Sequence, residues 1–530
     1  MNVLLILYGG RLSSKAFEPV FDGKNSVSLT LEQAQKFPDV GKTVLLASQR
    51  DFSFLNGVQI EQRDFWTKRS LLERIAELQA GFDCVYFAFA DCPFLDPALA
   101  GAIVKRHLRY AAEYSYADGW PYGLAPETLA PGTAGILARI LGEDDGPVER
   151  DILFSVIQKD INAFDIEAEI SAVDLRSHRL SLCADSKRNL LLLKNFIAAA
   201  GGKIPAANDI ELIVAQQPEI LRTLPGFYPI QVYGGCPQRC AHCPYPLFAA
   251  AGRRDFMEAS RFESLLEKIA AFSGDAVIDL SLWGELGLHP EKMKLIEAVL
   301  SRGELALIIE TSGIGWKAEE LEKCACLSQN ARARKNSMPP LSWIVSLDTA
   351  DPQRYAEIHG AGFAEAVTCA GKLFSLFRKN CYVQAVRTLG AEEDTEKFYR
   401  YWKETAPSEA NIIIQKYDDF CGILEKKQAS DISPVIRQPC WHIIRDMPVL
   451  IDGTVPLCRE ELTALAALAG LKEQDGEEKQ IAAECRSLGN VFTDSLENIW
   501  QNGERYYIEQ CKKNYTGICK NCDEYYTFNF

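Results

Sequence analysis

Three cysteines lie together in one short segment of the chain. Cys236, Cys240 and Cys243 follow an apolar, strand-like run, and two adjacent glycines separate that run from the first cysteine. Thiolates at this spacing, on a loop with glycine and proline, are typical ligands of a cuboidal iron–sulfur cluster. Three ligands leave one iron of a 4Fe–4S cluster open, and a small molecule can bind and be activated there. Zinc is the alternative, but zinc usually has four ligands in paired spacings.

This segment resembles the signature of the radical SAM enzymes, although His242 stands where an aromatic residue usually precedes the last cysteine. The resemblance implies that the three cysteines hold a 4Fe–4S cluster whose open iron chelates S-adenosylmethionine. It also implies one-electron cleavage of that cofactor to methionine and a 5′-deoxyadenosyl radical, which removes a hydrogen from the substrate. The electron donor expected for this family is a protein such as flavodoxin or ferredoxin.

The elements around the three cysteines alternate between strand and helix patterns. Strand-like runs are expected at 228–234, 276–283, 305–311, 343–348, 381–387 and 411–417. Six βα units in succession predict a partial (β/α)6 barrel. In such a fold the working residues lie at the carboxyl ends of the strands.

Polar residues stand at several of these strand ends. Gly284 lets a ligand approach the backbone, and Glu285 supplies a carboxylate that can pair with an ammonium. The resemblance implies that this strand end holds the amino group of the cofactor. It also implies cofactor contacts from Thr311, and from Ser346 and Asp348 to the ribose hydroxyls. Helix capping is an alternative role for Asp348.

The fifth strand-like run carries two polar residues, Gln384 and Arg387, among apolar neighbours. A polar side chain in such a run either faces a ligand or satisfies a buried backbone group. Either Gln384 or Arg387 is a candidate for a contact with the adenosine or for a bond to a buried carbonyl, and both alternatives stay open.

A second set of cysteines lies near the end of the chain. Cys440 and Cys458 bracket a predicted hairpin turn at Asp452-Gly453, and Cys519 and Cys522 form a Cys-x2-Cys pair. Four thiolates in two pairs can hold either zinc or a 4Fe–4S cluster, and the spacing does not decide between them.

Together with the segment SLGNVFTDSLENIWQN, these cysteines resemble the SPASM/twitch extension of radical SAM enzymes. The resemblance implies that the four thiols hold an auxiliary 4Fe–4S cluster. Cys485 and Cys511 lie nearby at other spacings, and we expect them to be buried structural thiols.

The first 200 residues also alternate between strands and helices, which predicts a mostly parallel α/β sheet. The segments FADCPFLDPAL, YADGWPYGLAPETL, VERDILFSVIQKDINAF and RLSLCADSKRNLLLL resemble cytidylyltransferases of surface-sugar synthesis, which have a GT-A-like fold. The resemblance implies that Asp91 and Asp185 bind Mg²⁺, and that Arg11 and Lys15 contact the triphosphate of CTP. Asn189 replaces an expected acid, so two hypotheses remain: an active domain, or one retained for binding or assembly.

The sequence therefore predicts an α/β protein with a cytidylyltransferase-like domain at 1–200, a linker helix at 201–226, a radical SAM core at 227–425 and a SPASM/twitch-like domain at 426–530. This architecture resembles the proteins named spiro-SPASM. The leading hypothesis is a radical SAM enzyme acting on a sugar or nucleotide-sugar in surface glycan synthesis. The alternatives are a peptide or protein maturase, a nucleotidyltransferase with structural clusters, and a non-catalytic assembly protein.

Composition limits the remaining choices. The chain has 530 residues, 47% of them hydrophobic, and a formal net charge of −15, which argues against a nucleic-acid or anionic-membrane partner. It contains no apolar run of about 20 residues, so we expect no transmembrane helix. Seventeen cysteines without a signal-like start suggest reduced thiols and metal clusters, and therefore a cytoplasmic location.

Overall fold

The computed structural model describes residues 1–248, 255–334, 338–406, 411–430, 433–462 and 487–527. The chain forms two compact units: the first contains Met1–Thr223, and the second contains Leu224–Arg334 and Met338–Phe530. Within the described ranges, no helix is both long and apolar enough to cross a membrane. Cys485 lies outside these ranges.

A seven-stranded sheet forms the centre of the first unit. Its strands are β1 (Val3–Gly9), β4 (Val40–Ser48), β5 (Gln59–Arg63), β6 (Cys84–Phe89), β7 (Tyr114–Asp118), β8 (Glu127–Leu129) and β9 (Ile166–Ile170). The two short strands β2 (Pro19–Phe21) and β3 (Lys24–Asn25) form a separate ribbon. The order in the sheet is β5-β4-β1-β6-β8-β7-β9, and only β8 runs antiparallel to its neighbours. The predicted mostly parallel α/β sheet is confirmed.

Helices flank this sheet. They are α1 (Ser26–Ala34), α2 (Lys68–Leu78), α3 (Pro97–Arg109), α4 (Thr133–Ile140), α5 (Ile152–Ile157), α6 (Lys187–Ala199) and α7 (Ala207–Gln216). Asp96 caps α3 by accepting from two amides of its first turn, with Pro97 in the first helical position. Ser186 caps α6 by accepting from the amide of Asn189. The first cap fixes the chain five residues after Asp91, and the second fixes it immediately after Asp185.

The helix predicted as a linker is part of the first unit. In α7, Ile210, Ile213 and Val214 are buried in the same apolar core as β1 and β6. Their three- and four-residue spacing gives the helix one apolar face. The bounds of the four predicted segments stay a prediction.

Six parallel strands form the sheet of the second unit. They are β10 (Phe227–Pro229), β11 (Ala276–Asp279), β12 (Leu305–Thr311), β13 (Leu341–Ser346), β14 (Cys381–Arg387) and β15 (Asn411–Lys416). Their order in the sheet follows the order in the chain. The predicted partial (β/α)6 barrel is therefore confirmed, and its carboxyl strand ends lie along one edge.

Helices connect these strands. They are α8 (Tyr245–Phe248), α9 (Ala259–Ser273), α10 (Lys292–Leu300), α11 (Ala318–Asn330), α12 (Pro352–Ile358), α13 (Phe363–Phe377) and α14 (Glu392–Thr405). In α9 the buried residues Phe262, Leu265, Leu266 and Ile269 form one apolar stripe against the sheet core.

The C-terminal part of the second unit contains α15 (Trp441–Arg445), β16 (Thr454–Pro456), β17 (Ser487–Asn490) and α16 (Leu496–Cys511). The strands β16 and β17 pair antiparallel. The segment after α15 lies beside β10: the Met447 amide donates to the Phe227 carbonyl at 2.9 Å, and the Val449 amide donates to the Pro229 carbonyl at 2.8 Å. The C-terminal part thus extends the barrel sheet at its first edge.

Candidate functional site

The loop with the three cysteines packs directly against the end of β11. A Cβ atom on Gly284 would lie 1.9 Å from the carbonyl oxygen of Tyr233, so only glycine fits at this position. The amide of Glu285 donates to the carbonyl of Gly235 at 2.9 Å. The structure therefore brings the predicted Gly284 and Glu285 into contact with the cysteine loop.

The three thiols of this loop influence one another. Burial raises the pKa of Cys243 to about 12, and desolvation by the surrounding loop raises that of Cys236 to about 11, although Cys236 is exposed at the surface. Burial also raises the pKa of Cys240, and the neighbouring thiols of Cys243 and Cys236 add to this rise. Three converging thiols fit the thiolate set of a cluster, and iron would have to displace their protons on binding.

Asp348 organises the two histidines beside this loop. Its Oδ1 accepts from the Val386 amide at 2.6 Å. Its Oδ2 lies 2.7 Å from Nε2 of His359 and 3.7 Å from Nε2 of His242. Burial alone would raise the pKa of Asp348, but the two imidazoles and the amide hold it below its usual value. Both oxygens of this predicted ribose ligand thus face protein groups, and the imidazole of His242 is directed to Asp348.

Glu285 is the centre of a buried hydrogen-bond network. Its Oε1 accepts from the Gly287 amide at 2.8 Å and the Thr311 hydroxyl at 2.7 Å. Its Oε2 accepts from the amide and the hydroxyl of Ser312 at 2.7 and 2.6 Å. A carboxylate has about four acceptor sites, and all four are used here. In this arrangement Glu285 joins the ends of β11 and β12, and its predicted contact with an ammonium stays a prediction.

Thr311 belongs to the same network. Its hydroxyl donates to Glu285 and accepts from the Gly313 amide and from Nε1 of Trp316, both at 3.0 Å. The side chain is 3% exposed. It therefore shapes the turn after β12, and its predicted cofactor contact also stays a prediction.

Three neighbouring strands meet at Glu310. Its Oε1 accepts from the Ser346 hydroxyl at 2.9 Å and from Nε2 of Gln384 at 2.8 Å. The structure thus brings together two of the predicted cofactor-binding residues through an acid that the sequence analysis did not single out. The signal was its place in the turn sequence ETSG at a strand end.

Four thiols converge in the C-terminal part of the second unit. Cys440, Cys458, Cys519 and Cys522 line one small cavity together with Ile443 and Ile518. Gln510 fixes the first of them by accepting from its amide at 2.8 Å. Burial raises the pKa of Cys440 and of Cys458, and nearby thiols raise both further. This set of four thiols in an enclosed place fits an auxiliary 4Fe–4S cluster.

A fifth thiol stands beside this set. Cys421 follows β15, in a turn where its φ is +59°, and its thiol shares a hydrogen bond with Cys522. That bond lowers the pKa of Cys522 and raises the pKa of Cys421. Cys421 belongs to no cysteine motif, so its position beside the four thiols was not predicted from the sequence. Cys511 is half-buried and packs against the core, in agreement with a structural thiol.

One larger cavity of about 360 Å³ lies inside the second unit at the carboxyl ends of the strands. Its wall includes His242 of the cysteine loop, together with Glu310 and Gln384. His442 and Arg459 also line it, and both line the cavity of the four C-terminal thiols as well. The cavity thus extends from His242 of the cysteine loop to two residues, His442 and Arg459, that also line the cavity of the C-terminal thiols.

In the first unit, Asp91 and Asp185 converge as predicted, but the cation between them is a side chain. Arg150 donates to both oxygens of Asp91 at 2.7 Å and to Oδ2 of Asp185 at 3.3 Å. The residues here do not fit a magnesium ion, because the guanidinium stands where the ion would bind. Arg11 is exposed, and Lys15 forms an ion pair with Glu18 at 2.5 Å. The CTP contacts of Arg11 and Lys15 stay a prediction.

The model of the SPASM iron–sulfur cluster-binding domain matches residues 440–523, which include the four C-terminal cysteines. The C-terminal part of the second unit therefore contains a SPASM iron–sulfur cluster-binding domain. An uncharacterized protein of Treponema pallidum (strain Nichols) is 33% identical over 396 residues, covering 71% of this chain and 98% of the relative. The chain and this Treponema protein belong to one family. The matched domain is one that binds an iron–sulfur cluster.

Among solved structures, Streptococcus suis SuiB bound to the precursor peptide SuiA is 14% identical, with a TM-score of 0.40. That alignment covers 70% of this chain and 84% of SuiB. A cytidylyltransferase from Leptospira borgpetersenii serovar Hardjo-bovis (strain JB197) is 18% identical, with a TM-score of 0.36, and covers 42% of this chain and 95% of its own.

Proposed function

We propose that this protein is a radical SAM enzyme that oxidises or modifies a polar substrate bound in its central cavity. One observation carries this proposal: His242 of the cysteine loop lines the same cavity as His442 and Arg459, which also line the cavity of the C-terminal thiols. A substrate in that cavity would lie between the two thiol sets. This position suits a substrate that loses a hydrogen on one side and an electron on the other.

The wall of the cavity supports a substrate with hydroxyl or amino groups. Its charged residues carry both signs and are Asp279, Glu310, Lys416, Asp418, Arg445, Asp446 and Arg459. A volume of about 360 Å³ lies at the low end of the range for small-molecule sites. We favour a sugar or nucleotide-sugar substrate, as the first domain's resemblance suggests, and a residue of a peptide is the second candidate.

Several residues have roles that follow from their positions. When bound at Cys236, Cys240 and Cys243, the cluster and S-adenosylmethionine supply a carbon radical that removes a hydrogen atom from the substrate. Glu310, Ser346 and Gln384 offer a joined set of polar groups that can bind hydroxyls of the cofactor. Cys440, Cys458, Cys519 and Cys522 would hold the auxiliary cluster, which would supply an electron acceptor or an anchoring point for the substrate.

Asp279 is the acid that this cavity can use. Burial raises its pKa to about 7, and Glu310 adds to the rise. A carboxyl group that keeps its proton near neutral pH can donate to an oxygen of the substrate. In our proposal Asp279 therefore orients the substrate and supplies or receives a proton.

The test uses the full chain with anaerobically reconstituted clusters. Reduced protein is mixed with S-adenosylmethionine, and 5′-deoxyadenosine is measured by mass spectrometry. We expect slow release without substrate and a higher yield with the correct substrate class. Deuterated nucleotide-sugars and deuterated peptides form separate arms, because only the true substrate transfers deuterium to 5′-deoxyadenosine.

Cys240→Ala is the matched control and should release no 5′-deoxyadenosine. If the reconstituted wild-type protein neither binds S-adenosylmethionine nor cleaves it, the proposed function is wrong. If deuterium arrives only from peptides, the sugar hypothesis is wrong and the peptide candidate replaces it.

A further inference from the structure

The two aspartates predicted to hold Mg²⁺ in the first unit have no free carboxylate oxygen. Nη1 of Arg150 donates to Oδ1 of Asp91 and Nη2 donates to Oδ2, both at 2.7 Å. Nη2 also donates to Oδ2 of Asp185 at 3.3 Å. Nδ2 of Asn189 donates to the remaining oxygen, Oδ1 of Asp185, at 2.8 Å. Every ligand atom that a metal would use is already an acceptor for a side chain.

Burial makes this arrangement hard to displace. Asp91 is 1% exposed and Asp185 is 7% exposed, so their charges need a cation nearby. Arginine keeps its charge in proteins, and its planar fork matches a carboxylate with two parallel hydrogen bonds. The guanidinium also lies over two aromatic rings, 4.8 Å from the centre of Phe89 and 5.7 Å from the centre of Tyr122. Aromatic rings therefore contact the plane of the guanidinium, while the carboxylates bind its N–H groups.

We infer that Arg150 is the resident cation of this aspartate pair and that the first unit binds no divalent metal there. Mg²⁺ needs oxygen ligands at about 2.0–2.1 Å in a near-octahedral arrangement. It could reach Asp91 and Asp185 only by expelling the guanidinium. With Arg150 in place, the pair and its cation keep a net negative charge, which repels a triphosphate. The unit therefore does not carry out metal-dependent transfer from CTP.

A softer metal meets the same obstacle. Cys92 and Cys183 stand beside Asp91, with their sulfur atoms 3.6 Å apart and Cys92 Sγ 3.9 Å from Oδ1 of Asp91. These three residues would form a metal site only if Asp91 were free. Arg150 holds both of its oxygens, so the two thiols alone would remain.

The experiment is a titration of the full-length holoprotein with Mn²⁺, in which the room-temperature EPR signal of free Mn²⁺ is measured. Wild type and Asp91→Asn should bind the same amount. Arg150→Ser removes the guanidinium and should bind about one more equivalent, because two carboxylates and water then form an oxygen site. Arg150→Lys keeps a cation and should stay like wild type.

The double variant Arg150→Ser/Asp91→Asn should lose the added equivalent, which assigns it to this site and not to acids elsewhere. Extra Mn²⁺ bound by wild type and lost in Asp91→Asn would overturn the inference. So would a folded Arg150→Ser protein with no gain in binding. If Arg150→Ser does not fold, the comparison of wild type with Asp91→Asn still decides. None of these outcomes depends on cleavage of S-adenosylmethionine.

Discussion

Nδ1 of His359 lies 3.0 Å from Sγ of Cys240, although 119 residues separate them in the chain. His359 follows directly after α12 and is fully buried. Backbone bonds reinforce the contact: the amide of Arg239 donates to the carbonyl of His359 at 3.1 Å, and that of Ala241 donates to Ile358 at 2.9 Å. The end of α12 thus fixes the middle cysteine of the cluster loop.

This contact predicts an effect on the reduction potential of the cluster at Cys240. Hydrogen bonds to cluster sulfurs stabilise the reduced, more negative state. His359→Phe removes the ring nitrogen near Cys240 and should shift the potential by about 50 mV to more negative values. EPR-monitored redox titration of the reconstituted protein measures this shift.

His359→Gln is the matched control for that prediction, because its amide can still donate to the sulfur. It should recover most of the wild-type potential. Equal potentials for His359→Phe and wild type, with equal iron contents, would show that the contact only fixes the loop.

The two thiol sets predict the iron content. Reconstituted wild type should contain about eight irons per chain, since each 4Fe–4S cluster contributes four. Replacement of Cys236, Cys240 and Cys243 by alanine should leave about four, with the absorbance of the auxiliary cluster intact. A colourless C-terminal site filled with zinc would contradict the second half of this prediction.

Cys421 and Cys522 provide the sharpest comparison within the auxiliary site. Cys522→Ser should lose the auxiliary cluster, since Cys522 lines the cavity with the other three thiols. Cys421→Ser should keep about four irons there, because Cys421 only hydrogen-bonds to Cys522. Iron analysis and visible absorption distinguish the two variants, and the reverse result would make Cys421 the fourth ligand.

The carboxylate of Glu285 has two candidate roles, namely joining the strand ends and binding the ammonium group of S-adenosylmethionine. Glu285→Ala would leave buried donors of Gly287, Thr311 and Ser312 without an acceptor, which should cost about 2–4 kcal/mol of unfolding free energy. The affinity for S-adenosylmethionine should fall as well, because the strand ends lose their arrangement. Urea unfolding and equilibrium binding measure the two effects. A Glu285→Gln protein with unchanged stability but lost cofactor binding would favour the direct ammonium contact.

Asp279 predicts a pH dependence of stability. Its pKa is about 7 in the folded protein, well above the ordinary aspartate value, so the folded state binds the proton more tightly. The stabilisation of the folded state by this proton is therefore full below about pH 4, and it is lost as the pH rises through 7. Asp279→Asn should gain up to about 3 kcal/mol over wild type between pH 5 and pH 8.5 in urea unfolding. A constant difference between the two proteins over this range would contradict the assigned pKa.

The regular elements and the two groups of cysteines were predictable from sequence because their signals are local. The strand expected at 305–311 is Leu305–Thr311, and the one expected at 381–387 is Cys381–Arg387. Each is an apolar run between turn residues. Strands β10 and β11 end earlier than predicted, at Pro229 and Asp279. After β11 the chain leaves the sheet and lines the cavity with residues 281–283. After β10 the amide of Gln231 bonds to the Val449 carbonyl of the segment after α15.

Contacts between distant segments were not predictable in the same way. Arg150 and His359 are ordinary polar residues in their own segments, and only the fold brings them to Asp91 and Cys240. Asp91 and Asp185 match a magnesium-binding pair in the sequence. A guanidinium that occupies the position of the metal ion leaves both acids unchanged, so it can be recognised only in the three-dimensional structure.

The hydrogen bonds from Met447 and Val449 to β10 attach the C-terminal part of the second unit to the edge of the six-stranded sheet. The separation between the two thiol sets is then fixed by backbone geometry and does not depend on a hinge. Electrons would cross a constant distance in every turnover. A protein truncated after residue 425 would bare the edge of β10 and tend to aggregate through it. The second unit is therefore better studied whole than in halves.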